Sequence, residues 1–308
     1  MIDFVGKKHW FFLISGILIV IGIVSLVSSQ IQFGAPLQLG TDFTGGTSMT
    51  LHFAPQVEQE QLRQELTNLG HPEAIIQRSG DDLLIRLIEI SFQERQDLTE
   101  GLETSLGSEI TVRDYDTVSP HIATETARNA FIAVIVAAVA MMLYIAWAFR
   151  RMPNPFRWGT CAVIALIHDV FIIVGIFSLL GLLAGVAVDA MFITGLLAVV
   201  GYSINNTVVI FDRIRENISR QIRPDFAATI NDSLVETLGR CLNTALTTLF
   251  VLLALFLFGG TTIQYFVLVL LLGVIIGTYS SIGISSQLLV VWEKKEWRAL
   301  LPFTKRTA

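Results

Sequence analysis

Cysteine is almost missing from this chain, and charge is scarce. Two of its 308 residues are cysteine, Cys161 and Cys241, and each lies near one end of an apolar run. The hydrophilic part of the sequence therefore has no disulfide to staple it and must stand on its own core. Five scattered histidines and two cysteines leave no ligand set with the spacing of a metal cluster, so neither a metal nor another cofactor is expected. Charged residues make up 15% of the chain, against about 25% in a soluble domain. A phosphate-cradling glycine loop and a nucleophile elbow are both missing, so an enzyme is not expected. His52, His71 and His121 read as surface or capping residues rather than as parts of a catalytic set.

What the chain has in plenty is apolar sequence. Hydrophobic residues reach 53% and the mean hydropathy is +0.63. Six runs are long enough to enter a bilayer: Trp10–Val27, Ala130–Phe149, Gly159–Gly181, Ala190–Phe211, Leu242–Phe258 and Tyr265–Trp292. Lys7-Lys8 before the first run also suits a signal peptide. That run exceeds the about 7–15 residues of a typical hydrophobic region, and Val27-Ser28-Ser29 is a weak cleavage site, so it reads as a retained anchor. Basic residues set the orientation. Lys7, Lys8, Arg150, Arg151, Arg157, Arg213, Arg215, Arg220, Arg223, Lys294, Lys295 and Arg298 cluster at alternate ends of the runs. The connections Leu182–Val188 and Gly259–Gln264 hold no lysine or arginine. Both termini are expected in the cytoplasm.

This gives an N-terminal tail and first span over 1–28, a domain outside the cytoplasm over 29–122, a five-span bundle over 123–292 and a cytoplasmic tail over 293–308. Residues 29–122 hold five arginines, no lysine and fifteen acidic residues, a net charge of −10, while the rest of the chain is net +5. An acidic outer domain argues against nucleic acid and for plain solubility or a basic or polar partner. Met49, Leu51 and Phe53 alternate with polar neighbours, so Thr47–Phe53 reads as a strand. Helix Gln56–Leu69, strands Ala74–Arg78 and Leu83–Ile90, helix Phe92–Leu106 and strand Ile110–Val118 follow. Ser91 and Glu94 form the capping box of the second helix. The order βαββαβ is that of a ferredoxin-like split unit, so the expected fold is α-helical and polytopic, with six spans and one α+β domain.

Polar residues within the runs are the functional candidates. His168-Asp169 lies about ten residues into the third run, roughly 15 Å deep at 1.5 Å per residue. An ionisable pair there is costly and marks function by default, or else glues helices together. Asn205-Asn206 in the fourth run can bind water but release no proton, and is either glue or part of a polar path. Arg240, at the inner end of the fifth run, is an anchor or a partner for Asp169 or the asparagines. Thr244, Thr247 and Thr248 follow it. Gly273, Gly277, Ser281 and Ser285 make a small-residue ridge on the sixth run, a packing face towards the bundle or towards another subunit. Between the fourth and fifth runs, Pro224 opens an amphipathic helix near 224–239 with Phe226, Ile230, Leu234 and Leu238 on one face.

Three motifs carry a resemblance. Leu39-Gly40-Thr41-Asp42-Phe43-Thr44-Gly45-Gly46-Thr47 resembles the G-x-D-F-x-G-G signature of the SecF members of the SecD/SecF family. Ala165-Leu166-Ile167-His168-Asp169 is similar to that family's third-span motif. Gly201-Tyr202-Ser203-Ile204-Asn205, with Asp212-Arg213-Ile214-Arg215-Glu216-Asn217, resembles its fourth-span motif and exit. One span, an outer domain and five further spans also match, so nearly the whole chain is covered. The resemblance implies an accessory subunit of protein export within the resistance-nodulation-division superfamily, in a bacterial plasma membrane, or a thylakoid membrane where the source has one. Implied partners are SecD, the SecYEG channel, SecA, YidC and YajC, membrane lipid and unfolded preproteins drawn outward by the proton-motive force. Where the family commonly has Asn-Asp, this chain has Asn205-Asn206, and Asn206 cannot titrate. Either Asp169 or a carboxylate of SecD then carries the proton, with Arg240 at the family's basic position, or the subunit is a scaffold. A small-molecule exporter of the same superfamily is the other alternative, with the small outer domain against it.

Overall fold

A computed structural model describes residues 2–152, 154–221, 223–260 and 263–296; the expected tail beyond 296, with Arg298, lies outside them. The elements are α1 (Lys8–Phe33), α2 (Thr41–Thr44), β1 (Gly46–Ala54), α3 (Gln59–Asn68), β2 (Ile75–Ser79), β3 (Asp82–Leu87), α4 (Phe92–Leu106), β4 (Glu109–Val118), α5 (Pro120–Ala148), α6 (Pro155–Ala184), α7 (Ala190–Ser219), α8 (Phe226–Phe258), α9 (Gln264–Ser280), a π turn (Ser281–Ser285) and α10 (Ser286–Lys294). They fall into two compact units. One holds the sheet, over Ser29–Ile132 and Leu180–Ala190. The other is helical and takes in the chain up to Ser28, Ala133–Leu179 and the chain from Met191 onward.

In the sheet unit four strands are ordered β2-β3-β1-β4, with every neighbouring pair antiparallel. The period-2 pattern of β1 works as read: Met49, Leu51 and Phe53 are buried. Met49 pairs with Ile85 and Leu51 with Leu83 across the β1–β3 ladder. Leu62 and Leu66 of α3, with Leu98 and Leu102 of α4, each one helical turn apart, close the core over that face. Burying each such side chain contributes about 1.5–3 kcal/mol, and no disulfide is needed. Helix α3 begins at Gln59 rather than directly after Pro55, because β1 runs on to Ala54 and Glu58 takes the cap position. Strand β3 stops at Leu87, short of the expected Ile90.

The capping box at α4 forms as expected. Ser91 Oγ accepts from the Glu94 N–H and Glu94 Oε2 accepts from the Ser91 N–H. The Ser91 backbone N–H, and after it the Ser91 hydroxyl, hold the Glu94 carboxyl below the usual carboxylate range. A depressed carboxyl pKa contributes stability that is present above the ordinary glutamate range and is lost as pH falls through the depressed value. Ser91→Ala is expected to cost the sheet unit about 1 kcal/mol, read as faster amide exchange in α4, and to weaken its acid sensitivity in that window.

In the helical unit all six candidate spans are long and apolar helices, with α9, the π turn and α10 together forming the sixth. One expectation needs correction: the amphipathic segment near 224–239 is not a separate element but the first part of α8, which continues unbroken to Phe258. Backbone hydrogen bonding is indifferent to the change from amphipathic to apolar sequence, and no proline interrupts the run. The helix starts at Phe226, one residue after Asp225, whose carboxylate caps it by accepting from the Ala228 N–H at 3.1 Å. That bond first, and Lys294 second, hold the Asp225 carboxyl low. Ile230 and Leu234 are buried as the stripe requires, in a cluster with Phe149, Trp158 and Phe211.

Candidate functional site

Asp169 lies midway along α6 and is fully buried, at 0% exposure, with His168 beside it at 7%. Sequence neighbours on a helix point apart, yet His168 Nδ1 turns back to within 2.9 Å of Asp169 Oδ1. Asp169 Oδ2 accepts from Ser203 Oγ of α7 at 2.6 Å and from Ser280 Oγ of α9 at 2.7 Å. On the other side of the ring, His168 Nε2 is 2.9 Å from Ser15 Oγ of α1. Ser15 Oγ is 3.0 Å from Tyr279 Oη, and Tyr279 donates to the Phe11 carbonyl at 2.7 Å. Phe11 and Ser15 are one turn apart on α1, so Tyr279 spans that turn. Three helices meet at the carboxylate, and α1 joins them through His168.

Small residues make this convergence possible. A Cβ on Gly175 would lie 2.7 Å from the Gly22 Cα, so α1 and α6 touch backbone to backbone. Gly22 follows Ser15 by seven residues and Gly175 follows His168 by seven, two helical turns in each case, which brings Ser15 level with the imidazole. On the opposite side, a Cβ on Gly273 would lie 2.0 Å from Val199 Cγ2, and one on Gly277 3.0 Å from Ser203 Cβ. Ser281 Oγ meets Thr207 Oγ1 at 2.9 Å. Positions 273, 277 and 281 thus step along 199, 203 and 207, and Ser203 is carried to Asp169. Ser285, the next in the ridge, is fully buried. The π turn inserts its extra residue at this point, and the Ser285 hydroxyl donates to the Ser281 carbonyl of its own helix.

The arrangement can take up one proton without stranding a buried group. With His168 neutral and Nδ1–H towards Asp169, Nε2 accepts from the Ser15 hydroxyl. With the ring doubly protonated, Nε2–H donates to Ser15, whose hydroxyl turns to Tyr279. One hydroxyl rotation switches between the two states.

The other candidates are placed differently. Asn206 is buried and donates to Thr278 Oγ1 at 3.2 Å, a contact between α7 and α9. Asn205, Gly201 and Arg240 are exposed; neither asparagine nor Arg240 is among the groups bonded to Asp169. The Tyr202 hydroxyl is buried without a partner among the described residues. Asp212, Arg213, Arg215 and Glu216 form an ion-pair lattice at the end of α7. Arg213 contacts Glu216 and Glu236 at 2.6 Å each, and Arg215 contacts Asp212 at 2.5 Å. This lattice, with Asn217 on Ser233 at 2.9 Å, ties α7 to α8.

The Gly40–Gly46 motif belongs to the sheet unit, where it holds the α6–α7 connection. The Gly40 N–H donates to the Val188 carbonyl and the Val188 N–H to the Gln38 carbonyl, both at 2.8 Å, a short parallel pairing of Leu39 with Val188. A Cβ on Gly40 would lie 3.1 Å from the Val188 carbonyl oxygen. Asp42 Oδ2 accepts from the Ala190 N–H at 2.8 Å, a carboxylate placed where the start of α7 favours one. Phe43 lies in α2, between Asp42 and the Gly45-Gly46 step into β1.

Ser15, Ser280 and Tyr279 were not singled out by the sequence. The signal for Ser15 was available, in the shared seven-residue spacing of polar residue and glycine in two spans.

Comparisons with known proteins find relatives along nearly the whole chain. Residues 99–295 match the family model described as protein export membrane protein SecD/SecF, C-terminal, and residues 31–57 match that of the SecD/SecF GG motif. The protein translocase subunit SecF of Thermobaculum terrenum is 40% identical over 321 residues, covering 100% of this chain and 99% of that one. That of Anaerolinea thermophila is 40% identical over 302 residues, covering 97% and 96%. The crystal structure of SecDF from Thermus thermophilus aligns with a TM-score of 0.84 at 35% identity, covering 95% of this chain and 39% of that longer one.

Proposed function

Because the chain belongs to the SecD/SecF family of protein export membrane proteins, we propose that it pairs with SecD and lends the proton-motive force to preprotein export, with Asp169 and His168 as its proton-binding centre. An accessory role at the Sec translocase is the common ground of its relatives. The observation that carries the finer reading is the carboxylate at Asp169: fully buried, ringed by three donors and coupled to an imidazole whose hydrogen bonds can be satisfied in two protonation states. Such an arrangement is costly to keep inside a bilayer unless its charge state is used.

Pairing with SecD has separate support. The Thermus relative is named SecDF, and this chain matches 37% of it, which supports a SecD-like part as the partner of this one. Arg240, Asn243 and Thr247 of α8 share one exposed face. Polar groups at such positions call for a protein partner rather than lipid, and a SecD carboxylate facing Arg240 would supply one. The basic residues at alternate helix ends favour cytoplasmic termini in a bacterial plasma membrane.

A scaffold without proton coupling of its own is the second reading, favoured by Asn206, which cannot titrate and serves as a tie between α7 and α9. The test is a pulse-chase of a secreted precursor in cells depleted of the chain, with and without collapse of the proton-motive force. Slower maturation that collapse does not worsen is expected. Slower maturation that collapse worsens to the same degree as in undepleted cells would favour the scaffold.

A further inference from the structure

Basic residues at the ends of the helices are mostly neutralised. Arg157 pairs with Glu293, Lys8 with Glu296, Arg223 with Asp232, Lys294 with Asp225, and Arg213 and Arg220 with Glu216. The turn after α5 differs. Phe149 is buried and stacks on Trp158 with ring centroids 5.4 Å apart, which leaves Arg150 and Arg151 projecting outward. No ion pair reaches either arginine among the described residues. With Arg215 of α7, Trp147 and Ala148 they line a surface cavity of about 180 Å³ that has no acidic residue in its wall. The Arg150 guanidinium lies 5.1 Å from the Trp147 ring and that of Arg215 5.8 Å from the Phe149 ring. Both are held in place while their N–H groups stay available. Asp212 offsets part of the Arg215 charge, so the cavity keeps a net positive charge.

The cavity also lies at the end of an apolar track. Val136, Val139, Leu143 and Trp147 recur at helical spacing on α5 and are all exposed. Trp147 occupies the position of an interfacial aromatic. A free phosphate would use the arginines alone; a phospholipid would use both features, its phosphodiester among the guanidinium groups and an acyl chain along the track. At about 30 Å³ per water molecule, the cavity has room for such a headgroup.

We propose that the cavity lined by Arg150, Arg151, Arg215 and Trp147 binds the headgroup of an anionic phospholipid. This does not depend on the proton reading of Asp169. The test is native mass spectrometry of the full chain with phosphatidylglycerol and with phosphatidylcholine, comparing wild type, R150Q/R151Q and, as a control from the neutralised set, R220Q/R223Q. Each basic residue near an anionic surface is worth roughly five-fold in binding, so R150Q/R151Q is expected to weaken phosphatidylglycerol roughly ten- to thirty-fold and leave phosphatidylcholine unchanged. The control pair is expected to bind both lipids as wild type does. R215Q, which changes no residue of the α5–α6 turn itself, is expected to show a smaller loss in the same direction and serves if the double variant does not fold. Retained phosphatidylglycerol binding in R150Q/R151Q, or in R215Q where the double variant does not fold, would overturn the proposal. So would an equal loss in the control pair, which would mean a diffuse field. Displacement of the lipid by inorganic phosphate alone would assign the cavity to a soluble anion instead.

Discussion

Asp169→Asn is expected to leave the chain folded and assembled while removing its response to the proton-motive force. The reason lies in the donors around the carboxylate. Ser203 and Ser280 both donate to one oxygen, Oδ2, and an amide oxygen can accept from both. The amide nitrogen then faces His168 Nδ1, which becomes the acceptor, so the ring carries its proton on Nε2 and donates to Ser15. Every buried group keeps a partner, and only the titratable site is gone. Asp169→Ala makes the contrast: two hydroxyls lose their acceptor and the imidazole its partner, at a cost of about 3–5 kcal/mol, the range for breaking a buried charged pair, and the protein level should fall. Moving one charge through 100 mV is worth about 2.3 kcal/mol, a bias of roughly fifty-fold. Loss of one coupled proton should therefore bring precursor maturation in D169N close to that of depleted cells, with no further slowing when the force is collapsed. Full export in D169N at normal protein level would remove Asp169 from the mechanism and leave the scaffold reading ahead.

The features that were legible in the sequence share a short range. Each span is a local excess of apolar residues, and the capping box at Ser91 and Glu94 is a spacing of three. Met49, Leu51 and Phe53 announce their buried face because strand alternation is local too. His168-Asp169 stands out because ionisable residues are rare in an apolar run. Their partners do not. Serine is small enough to pass as a packing residue in any membrane helix, so Ser280 carries no mark of its contact 111 residues away, and Ser15 shows its own, 153 residues away, only through the seven-residue spacing to Gly22. Tyr279 is likewise placed by the approach of α9 to α1. The unbroken course of α8 was hidden because its sequence changes character near Cys241 while its backbone does not. Ser285 fitted a ridge of four-residue steps that the π turn interrupts, and nothing local in Ser281-Ile282-Gly283-Ile284-Ser285 announces that turn.

Gly46→Ala is expected to be the most damaging single-methyl change in the sheet unit. Gly46 opens β1 at φ +112°, a backbone region that costs a residue with a Cβ about 1–3 kcal/mol. The added Cβ would also lie 2.2 Å from the Leu87 carbonyl oxygen. That oxygen is main chain in β3, where Thr47 pairs with Leu87, so no side-chain rotation relieves the overlap. Overpacking of this kind costs about another 1–3 kcal/mol, for roughly 2–6 kcal/mol together, a large part of the 5–15 kcal/mol that stabilises a typical domain. Gly107 separates the two contributions. Its φ is +62°, but nothing lies within 4 Å of where its Cβ would stand, so G107A should show the backbone strain alone, about 1–2 kcal/mol. Hydrogen–deuterium exchange of the full-length protein in detergent can read both variants. Amides of the β1–β3 ladder should exchange faster by a factor of roughly thirty to twenty thousand in G46A, taking 1.4 kcal/mol per tenfold. In G107A the effect should stay about tenfold and centre on the end of α4. Equal, small effects in the two variants would mean that β1 and β3 can part at Gly46 without loss, and that the second glycine of the motif is not what fixes the first strand of the sheet to its neighbour.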